Sequence, residues 1–452
     1  MATLADSLRH VKAHLTDALP DRLIRTACRD VGHRWRDRQL TPTVTTYLLL
    51  QQVLHGNPAV GELRHLSGLG FTDSGYCRAR QRLPLAALRA LQHAVAGRAR
   101  AALDDDPGAR WKGHRAFFLD GSSFSMPDTE ELREAFGQPS GQAEGCGFPV
   151  AHLLVQFDAH AGYLLKAIPA PLNTSDLSQA PAVHRDLRPG DLLVGDRVFG
   201  TYAHLALCRS RRLHGLFRAH QCLLIDFRAR RPYAPPGAHG PEVKGRPRSR
   251  WLKRLGKHDQ LVEYHKPKER PDWMTPAAYA ALPDTLVVRE LRYDIRIPGR
   301  RTRQVTLVTT LLDPKRYAAR ALAKLYGLRW QVETDLKHLK ETLGLDVLRS
   351  KTVPGVVKEL VAFVIIYNLV RRVMHAAARR QGVAPARVSF IDAWRWLKYA
   401  RPGDPLPLLK VNPERPGRVE PRVRKRRPKQ FPVMKRPRAE LRQALLTQKD
   451  AA

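Results

Sequence analysis

The sequence has few cysteines, and none of them are arranged in pairs. Its five cysteines are scattered along 452 residues, and no two form a C-x-x-C pair. They are Cys28, Cys77, Cys146, Cys208 and Cys222. This pattern argues against a disulfide framework and against a cysteine zinc site, and it fits a protein of the reducing cytoplasm.

Long hydrophobic runs are also missing. No apolar run reaches the roughly 18–20 residues that a membrane-spanning helix needs. The longest candidate, residues 356–370, is interrupted by Lys358 and Glu359 and contains Asn368, so we predict a buried helix there. The N-terminus carries charges at close intervals and has no signal-peptide core. We therefore expect no membrane partner.

Acidic residues are scarce relative to basic ones. Asp and Glu number 42 against 78 Lys and Arg, which gives a formal net charge of +36. A polyanion is the simplest partner, because basic side chains that displace counterions from phosphates supply most of non-specific DNA affinity. An RNA-binding protein would be equally basic, so the charge predicts nucleic-acid binding without distinguishing DNA from RNA.

Periodicity divides the chain into five segments. The first is helical and ends in a linker near residue 105; its basic edge fits a DNA-binding domain and fits a helical packing domain as well. The second alternates strands and helices in the order β-β-β-α-β-α-β, the third is a mostly β insertion, the fourth is helical, and the fifth is a basic tail. The segments are residues 1–105, 112–222, 223–312, 313–400 and 401–452.

Two aspartates of the second segment each follow an apolar strand. Asp120 ends the run RAFFLD before a predicted turn at Gly121, and Asp196 ends LLVGD. A carboxylate at a rigid strand end is costly to bury without a partner charge, and a metal ion is one such partner. Asp also caps turns and helices very often, so neither residue alone identifies a metal site.

A predicted helix in the fourth segment supplies a third carboxylate. Apolar residues recur at helical spacing and are expected to face the core; they are Leu325, Leu328, Val332, Leu336, Leu339 and Leu343. A second stripe beside them contains Tyr326, Arg329, Glu333, Lys337 and Lys340. Such a stripe can place a carboxylate beside a metal and cations beside phosphates. Taken alone, it fits an ordinary salt-bridged face equally well.

The spacing Tyr326-x-x-Arg329-x-x-x-Glu333-x(6)-Lys340 resembles the Y-R-E-K signature of DDE transposases of bacterial insertion sequences. The strand order, the positions of Asp120 and Asp196 and the β insertion also resemble that family. The resemblance implies an α/β fold: an RNase H-like mixed-sheet catalytic core with a mostly β insertion, plus an α-helical N-terminal domain. In such a core the first and fourth strands are neighbours, which would bring the two aspartates together.

The resemblance also implies the chemistry. Asp120, Asp196 and Glu333 would be the catalytic metal ligands, holding two Mg²⁺ ions with Mn²⁺ as a substitute. Tyr326, Arg329 and Lys340 would contact transposon-end DNA. The partners would be double-stranded DNA, namely terminal inverted repeats and target DNA, and a second copy of the chain in a homodimer. The location would be cytoplasmic and associated with the nucleoid.

Two further DNA contacts are expected. In relatives an aromatic residue from the insertion stacks on a displaced base, and Trp251, in RPRSRWLKRLGK, is the preferred candidate over Trp273. The tail offers phosphate contacts at Arg422, Arg424, Lys425, Arg426 and Arg427. Simple packing of the tryptophans and a solvated tail are the alternatives.

Other acidic residues compete for the catalytic roles and rank below the chosen three. They are Asp128, Glu130, Glu131, Asp191, Asp335 and Glu341. Two other functions also remain open: a non-enzymatic DNA-binding repressor derived from a transposase, and another RNase H-like nuclease.

Overall fold

The computed structural model describes residues 19–139, 143, 145–295, 304–400, 404–414 and 436–449. The N-terminal part of this chain is helical, as predicted. Its helices are α1 (Asp21–Asp30), α2 (Pro42–Leu54), α3 (Val60–Ser67), α4 (Asp73–Arg82) and α5 (Leu85–Asp104). The Thr41 and Thr72 side chains cap α2 and α4 by accepting hydrogen bonds from backbone N–H groups of the first turn.

A single mixed sheet of ten strands forms the centre of the molecule. Its strands are β1 (Arg110–Trp111), β2 (His114–Ser125), β3 (Val150–Asp158), β4 (Leu164–Pro171), β5 (Leu192–Gly195), β6 (His214–Arg218), β7 (Arg250–Gly256), β8 (Asp259–His265), β9 (Thr285–Asp294) and β10 (Gln304–Thr309). The spatial order is β4-β3-β2-β5-β6-β10-β9-β8-β7, with β1 paired to β2.

The remaining helices lie between and after these strands. They are α6 (Glu130–Phe136), α7 (Ala180–His184), α8 (Tyr202–Ser210), α9 (Pro276–Ala280), α10 (Ala319–Leu328), α11 (Gln331–Lys337), α12 (Val353–Gln381), α13 (Phe390–Tyr399) and α14 (Arg438–Lys449). Up to β6 the order of strands and helices follows the predicted β-β-β-α-β-α-β pattern, apart from the short β1 and α6. The α/β fold class with an RNase H-like core is confirmed.

The first long strand, β2, and the fourth, β5, are parallel neighbours, as the resemblance implied. Strands β3 and β4 form the predicted hairpin, and Asp158 accepts hydrogen bonds from the backbone N–H groups of His160 and Ala161 in its turn. These pairings fix which strand ends meet, and so they position the carboxylates discussed below.

The predicted β insertion is not a separate sheet. Its last strand, β10, pairs antiparallel with β6, and β9, β8 and β7 continue outward from it. Apolar side chains of the insertion, including Val262, Val288 and Val308, join the same hydrophobic cluster as Phe117 and Leu193 of β2 and β5. The insertion is therefore a continuation of the core sheet and of its hydrophobic core.

The sheet has a core on each face, because successive strand residues point to opposite sides. Ala116 and Phe118 belong to the cluster that contains α5 and α12, whereas Phe117 and Leu119 belong to the cluster that contains α8. Helix α12 is apolar and long enough to cross a membrane, but 78% of its most apolar stretch is buried inside the protein. The prediction of a buried helix at residues 356–370 is confirmed.

Two local predictions were wrong. Strand β2 does not turn after Asp120 but continues to Ser125, because β3 supplies ladder partners as far as the Ser125–Val150 pair. The predicted helix through Glu333 is interrupted at Arg329 and Trp330, between α10 and α11. The break shifts the helical phase, and Leu328, expected in the core, is 46% exposed.

Candidate active site

Asp120 and Asp196 lie at matching positions on the neighbouring strands β2 and β5. Phe118 pairs with Val194, and each aspartate follows its paired residue by two positions. Strand β5 ends there, and the Asp196 carboxylate accepts a hydrogen bond from the Val198 backbone N–H at 2.9 Å, which starts a short 3₁₀ turn. The fold thus brings these two predicted residues together at the end of the parallel strand pair.

The Asp120 carboxylate is surrounded by more negative than positive charge. Burial raises its pKa to about 6; the Arg329 guanidinium opposes this rise, and the carboxylates of Asp196 and Asp176 add to it. Arg329 Nη1 lies 3.5 Å from Asp120 Oδ2, and the two side chains are 12% and 21% exposed. A half-buried carboxylate crowded by two others, with one guanidinium beside it, favours binding of a further cation.

Asp176 and His152 are site residues that sequence reasoning missed. His152 Nε2 lies 2.7 Å from Asp176 Oδ1. The Asp176 carboxylate lies so close to Gly121 that a Cβ added there would be 2.7 Å from its Oδ1 atom, so any larger residue after Asp120 would displace this carboxylate. The sequence signal for this contact is the Asp120-Gly121 pair, which on sequence alone predicts a turn.

Glu333 lies in the first turn of α11, which packs against β2. Its side chain is exposed, and it makes no hydrogen bond or ion pair to any described residue. Within the described part of the chain, the clusters whose three ligand atoms lie within 4.8 Å of one another are formed by other side chains. The Glu333 carboxylate therefore lies on the predicted helical segment. It does not form, with Asp120 and Asp196, a cluster whose ligand atoms all lie within 4.8 Å of one another.

The other residues of the predicted stripe occupy different environments. Tyr326 is buried, its pKa is raised mainly by burial, and the Arg329 guanidinium lies 5.9 Å from its ring centre. Lys337 is exposed and pairs loosely with Glu341 at 3.8 Å. Lys340 Nζ lies 3.0 Å from Asp346. Arg329 therefore contacts the carboxylate site and Tyr326 lies beside it, whereas the two lysines are paired with Glu341 and Asp346.

The predicted DNA contacts outside this stripe can be only partly located. Trp251 lies half-buried on β7, which forms one edge of the sheet, and its indole nitrogen has no hydrogen-bond partner among the described residues. Trp273 instead packs against the core shared with β2 and β5. Arg422, Arg424, Lys425, Arg426 and Arg427 lie outside the described residues.

Most of the competing carboxylates have structural partners. Asp335 forms a buried ion pair with Arg371, and both side chains are 2% exposed. Asp191 binds Arg115 through two hydrogen bonds of 2.9 and 2.6 Å. Asp128 pairs with Arg133 at 2.7 Å. The charges of these three carboxylates are balanced by arginines at some distance from the predicted ligands, so Asp120, Asp196 and Glu333 remain the candidates for a metal site.

The donor set fits a divalent cation. Oxygen ligands from carboxylates are those that Mg²⁺ and Mn²⁺ prefer. A bound cation would favour the ionised form of Asp120, whose pKa is raised to about 6 mainly by burial and further by the neighbouring carboxylates. Asp120 and Asp196 would hold the ion from two strand ends, and Glu333 would approach from α11.

Comparisons with known proteins identify the family of this chain. Residues 111–369 match the family described as Transposase DDE domain. The transposase InsG for insertion sequence element IS4 of Escherichia coli (strain K12) is 25% identical over 347 residues, which cover 72% of this chain and 71% of that protein. The structure of a piggyBac transposase synaptic complex with hairpin DNA covers 85% of this chain and 78% of its own, with 12% identity and a TM-score of 0.41.

The Transposase DDE domain match includes Asp120, Asp196 and Glu333 and spans more than half of the chain. No finding favours the repressor or the other RNase H-like nuclease. The chain belongs to the DDE transposases, enzymes that use divalent metal ions to cleave and join DNA phosphodiester bonds.

Proposed function

We propose that this transposase cuts the ends of its own insertion sequence with Asp120, Asp196 and Glu333 as the ligands of two Mg²⁺ ions. The observation that carries the assignment is the register of β2 and β5, which brings Asp120 and Asp196 to equivalent strand positions beside Arg329. Two ions would stabilise the negative charge on the attacking and leaving oxygens of the phosphodiester.

The protein side chains have separate roles in this proposal. Arg329 balances the charge of Asp120 in the free enzyme and contacts a DNA phosphate in the complex. Tyr326, held in the core beside Arg329, fixes the direction of that guanidinium. Lys337 and Lys340 extend the contact along the DNA backbone, and Lys340 exchanges its partner Asp346 for a phosphate.

The reaction has two chemical steps. Water attacks the phosphorus at the transposon end, the bond to the 3′ oxygen breaks, and a 3′-hydroxyl and a 5′-phosphate result. The freed 3′-hydroxyl then attacks a phosphorus of a second strand. The bond from that phosphorus to its own 3′ oxygen breaks, and the departing oxygen takes up a proton while the attacking hydroxyl loses its own. The exposed Glu333, on the helix facing β2, is the residue that completes the ligand set around the scissile phosphate.

Recognition of the ends is assigned to the helical N-terminal domain, the insertion and the basic tail. On α4, Arg78 and Arg82 are exposed, whereas Arg80 hydrogen-bonds Ser350 Oγ at 3.1 Å. Arg78 and Arg82 would therefore contact phosphates, and Arg80 would hold the helix in place. The assembly on DNA is a homodimer that joins two terminal inverted repeats, and the enzyme acts in the cytoplasm on nucleoid DNA.

Cleavage of DNA that carries the element's own ends tests the proposal. With Mg²⁺ or Mn²⁺, the wild type should cut at the ends, and Glu333→Gln should bind the same DNA in a gel shift without cutting it. Glu341→Gln is the matched control, because Glu341 is an exposed carboxylate on the same helical segment with Lys337 as its partner. Cutting by Glu333→Gln would refute the assignment. Binding without cutting by all three proteins would favour the repressor.

A further inference from the structure

A second group of metal-binding side chains lies beneath the Asp196 turn. His184 at the end of α7 and His204 and Cys208 on α8 place their ligand atoms within 4.8 Å of one another. All three are buried, with exposed fractions of 2%, 0% and 0%. The carboxylate site contains no thiol or imidazole ligand, so this cluster is a separate feature with different chemistry.

The distances fit a tetrahedral ion of the size of Zn²⁺. The two Nε2 atoms are 3.0 Å apart, and the Cys208 sulfur lies 3.9 and 4.0 Å from them. With Zn–N bonds of about 2.0–2.1 Å and a Zn–S bond of about 2.3 Å, a tetrahedral ion separates two nitrogens by about 3.3 Å and a nitrogen from sulfur by about 3.6 Å. Shifts of about 0.4 Å would therefore suffice for all three pairs.

The hydrogen bonds and protonation states also suit a metal. His204 Nδ1 lies 2.8 Å from the Phe199 carbonyl oxygen, so Nδ1 carries the proton and Nε2 presents its lone pair to the cluster. This is the usual arrangement of a metal-bound histidine, in which the other ring nitrogen donates to a fixed acceptor.

We propose that His184, His204 and Cys208 form a structural zinc site, with water or a small anion as the fourth ligand. The ion displaces the thiol proton of Cys208 and binds the thiolate together with two neutral imidazoles. The absence of paired cysteines argued against a cysteine zinc site, but the fold assembles this one from a single cysteine and two histidines on two helices.

Zinc binding at this position would affect the turn that begins at Asp196 in the carboxylate site. The ion would link α7 to α8 across the chain segment that contains β5 and Asp196. His204 also holds the Phe199 carbonyl at the end of the turn that begins at Asp196. A bound zinc would thus restrain this turn through His204.

The inference stands independently of the catalytic assignment and is tested on the full-length, chelator-treated protein by titration with Co²⁺. A thiolate bound to Co²⁺ gives a ligand-to-metal charge-transfer band in the near ultraviolet, which a carboxylate site cannot give. We expect this band at one ion per chain in the wild type, its loss on addition of Zn²⁺, and no competition from Mg²⁺.

Substitutions test which side chains bind the Co²⁺ ion that gives this band. Cys208→Ala should abolish it, whereas Cys28→Ala, which also removes a buried helical thiol, should retain it. His184→Gln is a second variant in case Cys208→Ala does not fold, and it should weaken Co²⁺ binding at least about tenfold, as expected for the loss of one ligand. Zn²⁺ at a hundredfold excess over its Kd should raise the wild-type Tm by about 3 °C, and that of Cys208→Ala not at all.

The results distinguish a failure of the zinc proposal from a failure of the catalytic assignment. A wild-type protein that gives no thiolate band with stoichiometric Co²⁺ would overturn the proposal, and so would a band that survives in Cys208→Ala. Because the band reports only a thiolate ligand, failure here leaves the assignment of Asp120, Asp196 and Glu333 untouched, and failure of DNA cleavage leaves the zinc site untouched.

Discussion

Removing the charge of Asp120 should stabilise the fold while it abolishes activity. Burial beside Asp196 and Asp176 raises the Asp120 pKa from 3.8 to about 6. A carboxyl group whose pKa is higher in the folded than in the unfolded state opposes folding wherever the folded group is ionised. We therefore expect Asp120→Asn to be more stable than the wild type near pH 8 and unable to cleave DNA.

The expected gain in the free energy of unfolding follows from the size of the Asp120 pKa shift. A change of about 2 pKa units corresponds to about 3 kcal/mol. The shift already includes the opposing effect of the Arg329 guanidinium 3.5 Å away, so the net gain in the free energy of unfolding is about 3 kcal/mol. With an unfolding entropy of about 2.1 cal/mol/K per residue, the gain corresponds to a rise in Tm of about 3 °C.

The pH dependence has a defined direction. The wild type should gain stability as the pH falls from about 6 towards 4, because its folded state takes up the proton first. The difference in Tm between Asp120→Asn and the wild type should therefore shrink over this range. Mg²⁺ should raise the Tm of the wild type more than that of the variant near pH 8, because the ion offsets the same charge.

Thermal unfolding at pH 8 and pH 4 measures these differences. Asp191→Asn is the matched control with the opposite sign, because Asp191 is neutralised by Arg115 and its loss leaves the buried guanidinium with only a 3.9 Å contact to the Asp104 carboxylate. We expect that variant to lose about 3–5 kcal/mol. An Asp120→Asn protein that is no more stable than the wild type at pH 8, or a gain that persists unchanged at pH 4, would refute the reasoning.

Three further outcomes are expected. Asp335→Ala should lower the free energy of unfolding by about 3–5 kcal/mol in a denaturant titration, and the double variant Asp335→Leu/Arg371→Met should recover most of it; equal losses in both would contradict a buried ion pair as the cause. Gly121→Ala should displace the Asp176 carboxylate and slow cleavage at least about tenfold, and an unchanged rate would mean that Asp176 is not part of the site. Trp251→Ala should slow end cleavage while gel-shift affinity is kept, and an unchanged rate would exclude base stacking by this residue.

The sequence predicted the elements whose signals are local. The β3–β4 hairpin was predictable from two apolar runs around His160, Ala161 and Gly162, and the buried helix α12 from its continuous apolar composition. Asp120 and Asp196 were found because each follows an apolar strand. That they lie together required the strand order, which entered only through the resemblance to a known family.

Features that depend on distant pairing were missed. The insertion was predicted to be mostly β, but nothing in the sequence near β6 indicates that β10 pairs with it and joins the insertion to the core sheet. Strand β2 continues past Asp120 because β3 supports it from a distant part of the chain. Leu328 was predicted to lie in the core because the sequence pattern assumed one continuous helix. The break at Arg329 and Trp330 changes which residues share a helical face, and Leu328 is exposed.

The continuous sheet also bears on aggregation. An open sheet exposes unpaired backbone groups at its edge strands, where another chain can add a strand. Without the insertion, strand β6 would be such an edge. Its central residues Gly215, Leu216 and Phe217 are buried, and their exposure at an edge would favour aggregation. Pairing with β10 covers this edge, and β7 becomes the edge strand on that side of the sheet.

Both edges that remain are poor templates for strand addition. Strand β7 carries Arg250, Lys253 and Arg254 and is bent by irregular register in two places. Strand β4, at the opposite edge, contains Pro169 and Pro171, which lack the N–H group that an added strand would need. Insertion sequences that lose this β segment by deletion would therefore be expected to encode a protein that aggregates before it could bind DNA.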